Sequence, residues 1–298
     1  MYDSSDPKFI SVLDHGFVYL IDVMGDDAAI VQSARLSYGD GTKSVREDRG
    51  LIRYLFRHKH TSPIESCEVK LHLRLPIFVM RQLVRHRTAH LNEFSARYSI
   101  MSDDFYVPDS DFIQPQSQIN KQGRDGTISE TSIAGVQWMM QAAGDHAYDL
   151  YRVLLGERTG ELIYDPYTSN DPLLDGEFPG IAREVARTVL PVSFYTEVYW
   201  KQDLHNLFHL LKLRSDSGAQ KEIRVYADAI YRLIQPVFPL ACEAWEDYVR
   251  DSVTLSRMEV DLMRDLLQGR ATIDIEPSSY GMTKREMTEF IARFALAK

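Results

Sequence analysis

Between Leu83 and Ser99 the chain reads LVRHRTAHLNEFSARYS, which sets Arg85, Arg87 and Arg97 among His86, His90, Glu93, Ser95 and Ser99. Its apolar positions are too sparse for a continuous buried face. The run is therefore either a solvated surface turn or a pocket for an anion. Each guanidinium is a planar, permanently charged fork whose donors match phosphate oxygens. Glu93 adds acceptors, and Ser95 adds both a donor and an acceptor. Together these groups could hold a nucleotide by its phosphate and read its hydroxyls or base.

The elements that must position this run can be read on either side of it. FVYLIDVMG (17–25) is a short apolar strand, and residues 26–39 read as a helix opened by Asp26 or Asp27. Residues 44–60 form a helix whose basic end suits the negative pole of its dipole. In EVKLHLRL (68–75), Val69, Leu71, Leu73 and Leu75 alternate with polar residues, as in a half-buried strand. Pro76 can open a helix over 76–87, since its missing N–H is not needed there. On that helix Ile77, Met80 and Val84 would form the apolar stripe, with Gln82, Arg85 and His86 on another face. Residues 102–126 are a long polar loop, of the kind that covers or lines binding sites. A helix of about thirty residues should follow from Thr127, and a second polar stretch spans 165–180. A helix over 181–190, a strand over 191–200 and a helix capped by Asp203 and stopped by Gly218 come next. The expected fold is α+β: one helix-rich domain over 1–298 around a central, mostly antiparallel sheet.

Composition narrows the function. The net charge of −9 argues against a nucleic-acid binder, so any phosphate site is a local arginine cluster in an acidic whole. No basic n-region with an apolar core opens the chain, and no apolar run is long enough to span a membrane. Cys67 and Cys242 form no CxxC pair, and a cytoplasmic setting is expected.

Arg85-His86-Arg87 followed after seven residues by Ser95 resembles the RHR-x7-S signature of flavin-dependent thymidylate synthases. NEFSARYS is similar to that family's NE-x-S-x-RY, and HTSPIE (60–65) to its H-x-[ST]-P-x-E element. SARLSYG (33–39), the NKQG of the polar loop (120–123) and the block 187–230 resemble further family segments in order. The resemblance implies methylation of C5 of dUMP, with carbon from 5,10-methylenetetrahydrofolate and hydride from reduced FAD. NAD(P)H would reload the flavin, and the active sites would be shared between subunits of a homotetramer. The chain has neither a P-loop nor a G-x-G-x-x-G motif, consistent with a flavin held by side chains.

By position, the resemblance assigns His60, Ser62, Arg85, His86, Arg87, Glu93, Asp203, Leu204, His205 and His209 to FAD. It assigns Gln82, Leu83, Val84, Arg85, Glu93, Phe94, Ser95, Ala96, Arg97, Arg187 and Arg214 to dUMP. Arg214 is the catalytic candidate, at the pyrimidine edge, where its charge would favour loss of the N3 proton. The chain departs from many members at Asp203 and His205, where Asn-x-Arg is common, at Gly218 in place of a histidine, and at Ala96 in place of glycine.

Other chemistries fit less well. His205 and His209 have a zinc-compatible i, i+4 spacing, and with His58 and His60 they could build a hydrolase site, but no HExxH accompanies them. No metal is expected. Ser95 lacks the setting of a nucleophile. Neither cysteine lies in the arginine-rich context that the cysteine-dependent type of thymidylate synthase needs. REDR (46–49) reads as a solvated helix face.

Overall fold

The computed structural model describes residues 2–36, 45–118, 123–157 and 178–294. The last three residues of SARLSYG, all of NKQG but Gly123, and most of the 165–180 stretch lie outside them. Two compact units are present, Met1–Val249 and Arg250–Lys298.

The first unit is built on a five-stranded antiparallel sheet of order β1-β2-β3-β5-β4. The strands are β1 (Phe9–Val12), β2 (Gly16–Met24), β3 (Glu68–Pro76), β4 (His90–Glu93) and β5 (Tyr195–Asp203). Alternation dictates which face is buried. Val69, Leu71, Leu73 and Leu75 point inward on β3, and across it Val18 faces Leu73 while Trp200 faces Leu71. The opposite face carries Phe17, Tyr19, His72, Arg74, Glu197 and Tyr199.

Helices cover the buried face and the sheet ends: α1 (Asp27–Arg35), α2 (Val45–His58), α3 (Ser62–Glu65), α4 (Ile77–Leu83), α5 (Glu130–Leu154), α6 (Arg183–Ala186), α7 (Leu204–Arg214), α8 (Lys221–Ile234) and α9 (Pro239–Trp245). Caps fix where the main ones begin. Asp26 accepts from Ala29 N to open α1, and Asp203 accepts from Asn206 N to open α7. Leu204, Leu207, Phe208, Leu210 and Leu211 bury α7 in the core with Ile223, Ala227 and Ile230 of α8.

The structure corrects several sequence readings. The helix after Pro76 ends at Leu83, so Arg85, His86 and Arg87 lie on a turn, where His86 N donates to the Leu83 carbonyl at 3.0 Å. Strand β5 begins at Tyr195 because residues 192–194 turn back to accept from Ile77 N and Phe78 N. Only Arg183–Ala186 is α-helical in the 181–190 segment, followed by a 3₁₀ turn at Arg187–Val189. Helix α7 stops at Arg214, before Gly218. The loop from residue 102 is less solvated than its composition implies: Phe105 and Tyr106 are buried, and Phe105 packs directly on α5 at Gly144. A Cβ at Gly144 would sit 2.2 Å from that ring, so this helix position requires glycine. REDR is not a free face either. Asp48 is buried and pairs with Arg35, and Arg49 grips Glu243 through both carboxylate oxygens.

The second unit holds α10 (Arg257–Leu267) and α11 (Lys284–Arg293), each opened by a capping box, Ser256 with Glu259 and Thr283 with Glu286. Leu262, Met282, Met287 and Phe290 form its own small core.

Candidate active site

The end of α4 and the end of α7 meet through Arg214. Its Nε donates to His86 Nε2 at 3.0 Å, and Nη2 donates to the Gln82 carbonyl at 3.2 Å. That carbonyl lies in the last turn of α4, where a helix leaves acceptors without internal partners. Gln82 in turn donates through Nε2 to Gln220 Oε1 at 2.6 Å, joining the start of α8 to the cluster. His86 is 8% exposed, and burial, then Arg214 and His209, push its imidazole down to about 4. It is therefore neutral at physiological pH. Because a guanidinium only donates, Nε2 carries the lone pair and Nδ1 the proton. Arg214, half-buried, is lowered from the ordinary arginine value by burial and by Arg85, and it has no carboxylate partner among the described residues.

From this cluster the assigned residues continue in one direction. The His209 ring lies 6.1 Å from that of His86. His209 and His205 line a cavity of about 250 Å³ together with His60, Lys59, Phe56, Phe208 and Trp245. Its floor is aromatic, with Phe208 stacked on Trp245 at 5.2 Å. His60 also opens onto a second cavity of about 490 Å³, lined by Ser33, Tyr54 and Ser62. Arg85 and Arg87 are exposed and have no acidic partner among the described residues. Behind them, buried Gln202 donates to Thr88 Oγ1 at 3.1 Å and accepts from Trp200 Nε1, which pins the turn to the core. An apolar floor, adjacent hydrogen-bonding cavities and unpaired guanidinium groups fit a dinucleotide with a large aromatic ring and two phosphates.

A separate cluster holds the remaining residues. Glu93 Oε1 accepts from Thr196 Oγ1 at 2.9 Å, and the Arg97 backbone N–H reaches Ser95 Oγ at 3.4 Å. Arg97 pairs with Glu184 at 2.9 Å, both side chains being more than half exposed, on the wall of a cavity of about 500 Å³. Arg187 is exposed, and Phe94 and Val84 are partly so. Among the described residues no hydrogen bond or ion pair joins this cluster to Arg214.

Some assigned side chains are engaged elsewhere. Leu83 and Leu204 are buried in the main core, and Ala96 in a smaller one with Met101, Phe105 and Phe194. At these positions only the backbone can face a ligand. The Asp203 carboxylate is occupied by the Asn206 backbone N–H at 2.9 Å and side-chain amide at 2.7 Å. Both cysteines are buried and outside any disulfide, and burial pushes the Cys67 thiol up, the reverse of what a thiolate nucleophile requires. Among the described residues no three His, Cys, Asp or Glu side chains converge as metal ligands. Sequence reasoning missed Gln202, Gln220 and Ser33. Neutral amides and a lone serine carry no spacing signal, and only the fold places them.

Residues 19–240 match the family model described as thymidylate synthase complementing protein. The chain is 48% identical over 279 residues to the flavin-dependent thymidylate synthase of Ruegeria pomeroyi, covering 94% of this chain and 85% of that one. It is 44% identical over 291 residues to the enzyme of the same description from Rickettsia typhi, covering 96% and 93%. Among solved structures it resembles a UMP/dUMP methylase from Streptomyces cacaoi bound with 5-Br UMP, with a TM-score of 0.67 and 31% identity over 81% of this chain and 98% of that one. The same methylase bound with 5-Br dUMP matches equally well.

Proposed function

Because this chain belongs to the flavin-dependent thymidylate synthase family, we infer that it methylates dUMP to dTMP, taking carbon from 5,10-methylenetetrahydrofolate and releasing tetrahydrofolate. Bound FAD, once reduced by NAD(P)H, supplies the hydride. The observation that carries this reading into the site is the guanidinium of Arg214, fixed by two hydrogen bonds and without a neutralising carboxylate among the described residues. It lies on the side of His86 and His209, the latter lining a cavity with His60 and His205.

The residue roles proposed here follow from chemistry. Arg214 faces the pyrimidine edge and stabilises negative charge as the N3 proton leaves. Gln82, Glu93 and Ser95 supply the polar contacts of the nucleotide. Arg97 and Arg187 take its phosphate in charge-assisted bonds, with Arg97 exchanging Glu184 for phosphate oxygens. Arg85 and Arg87 reach the pyrophosphate of FAD, while His60, Ser62, His205 and His209 line the space for its ring systems. The backbone at Leu83, Val84, Phe94, Ala96 and Leu204 completes the walls.

We further propose a homotetramer with shared sites. The family resemblance supports it, and in such an assembly one subunit's arginines could complete a partner's site. All of 1–298 acts as one cytoplasmic enzyme domain in this reading, and every proposed ligand contact falls in the first unit. The test is direct: the purified protein should be yellow, show flavin absorbance bands, and form dTMP only when all co-substrates are present. A colourless protein that does not take up added FAD would refute the assignment.

A further inference from the structure

A cation that acts by its charge must be oriented without being neutralised. A carboxylate would orient Arg214 strongly, and would also cancel most of the field it offers a substrate. This protein uses two neutral acceptors instead, the His86 imidazole on Nε and the Gln82 carbonyl on Nη2. Both lie at the exit of α4, which a hydrogen bond from buried Gln202 to Thr88 ties to the core. With Nε and one Nη2 hydrogen taken, the guanidinium plane is fixed and its Nη1 edge remains for a ligand.

We propose that His86 is the positioning residue for Arg214, its neutral ring accepting Nε–H so that the uncompensated guanidinium is aimed at the pyrimidine edge. This rests on the reading of Arg214 given above and reassigns the main work of His86 from gripping flavin to orienting the catalytic cation. The groups facing the ring are consistent with it. Burial first, then Arg214 and His209 on α7, disfavour the charged ring, so it stays neutral and able to accept, while Arg85 bears on Arg214.

Two substitutions separate the roles. His86→Gln removes the ring but keeps an acceptor oxygen near the place of Nε2. His86→Phe keeps a ring that could stack on flavin but removes the acceptor. The probe is 5-bromo-dUMP bound to the flavin-free protein, with N3 ionisation followed by ultraviolet absorbance against pH. Wild type and His86→Gln should ionise the bound analogue at lower pH than the free analogue; His86→Phe and Arg214→Lys should not. In the FAD-loaded enzyme, His86→Phe should keep its flavin and lose turnover roughly a hundredfold. Adding it to Arg214→Lys should cost nothing further, because the two act as one unit. His86→Met, unbranched and without a strong acceptor, serves if the phenylalanine variant does not fold. If Arg214→Lys abolishes the ionisation shift and His86→Phe or His86→Met preserves it, the positioning role is wrong while the Arg214 reading survives. If Arg214→Lys itself preserves the shift, the reading of Arg214 falls and the proposal with it.

Discussion

Acid should expose the cost of keeping His86 neutral. In the unfolded chain its ring binds a proton near pH 6.5, and in the folded site only near pH 4. Between these values the unfolded state holds the extra proton, so falling pH favours unfolding. The stability due to the neutral ring is complete above pH 6.5 and is lost as pH drops toward 4. Applying the linkage relation to those two values, lowering pH from 7 to 5 should remove about 2 kcal/mol, of about 3 kcal/mol in all. Other groups titrate in the same range, so the informative quantity is the difference between wild type and His86→Gln, which keeps an acceptor and cannot be protonated. Denaturant titrations of flavin-free protein at pH 7, 6 and 5 would measure it. The wild type should lose about 2 kcal/mol more than the variant between the outer points, a Tm difference of about 4–8 °C for a unit of this size. Equal losses would mean that the buried His86–Arg214 contact is not present in solution.

Other perturbations follow from the same geometry. Arg214→Lys should still fold and bind FAD, lose a few degrees of Tm with the Gln82 carbonyl contact, and drop roughly 10²–10³ in kcat, as judged by dTMP formation and calorimetry. Glu184→Gln should lower the KM for dUMP about twofold to fivefold, since an exposed pair such as Arg97–Glu184 is worth at most about 1 kcal/mol. Arg97→Ala or Arg187→Ala should raise that KM strongly, by about 1.5–3 kcal/mol in kcat/KM terms, with flavin content unchanged. Arg87→Ala should purify folded but with less FAD, as read from its visible spectrum.

The strand β3 was legible because each apolar residue alternates with a polar one, and the starts of α1 and α7 were legible because Asp26 and Asp203 are local caps. The short strand β1 was not read, as four residues between turns carry too little pattern. The end of α4 was misplaced because the contact that holds the turn after it comes from Arg214, more than a hundred residues away. The same distance hides the orienting role of His86: the sequence shows a histidine between two arginines, and only the return of α7 shows which atom it serves. The 102–126 loop read as polar because its polar residues outnumber Phe105 and Tyr106; Phe105 fits against the glycine gap in α5, and Tyr106 is held by Phe78 and Glu222. The assignment of Arg85, Arg87 and Arg97 to ligands rested on motif spacing, which a sequence displays, whereas the pairing of Arg97 with Glu184 needed the fold.

The most direct measurement is an anaerobic single turnover. FAD-loaded protein is reduced with NAD(P)H, freed of excess reductant, and mixed with dUMP and 5,10-methylenetetrahydrofolate while flavin absorbance and dTMP are followed together. One dTMP should form for each flavin reoxidised, and omitting any one component should abolish product. Formation of dTMP with the flavin still reduced, or reoxidation without dTMP when both substrates are present, would contradict the account.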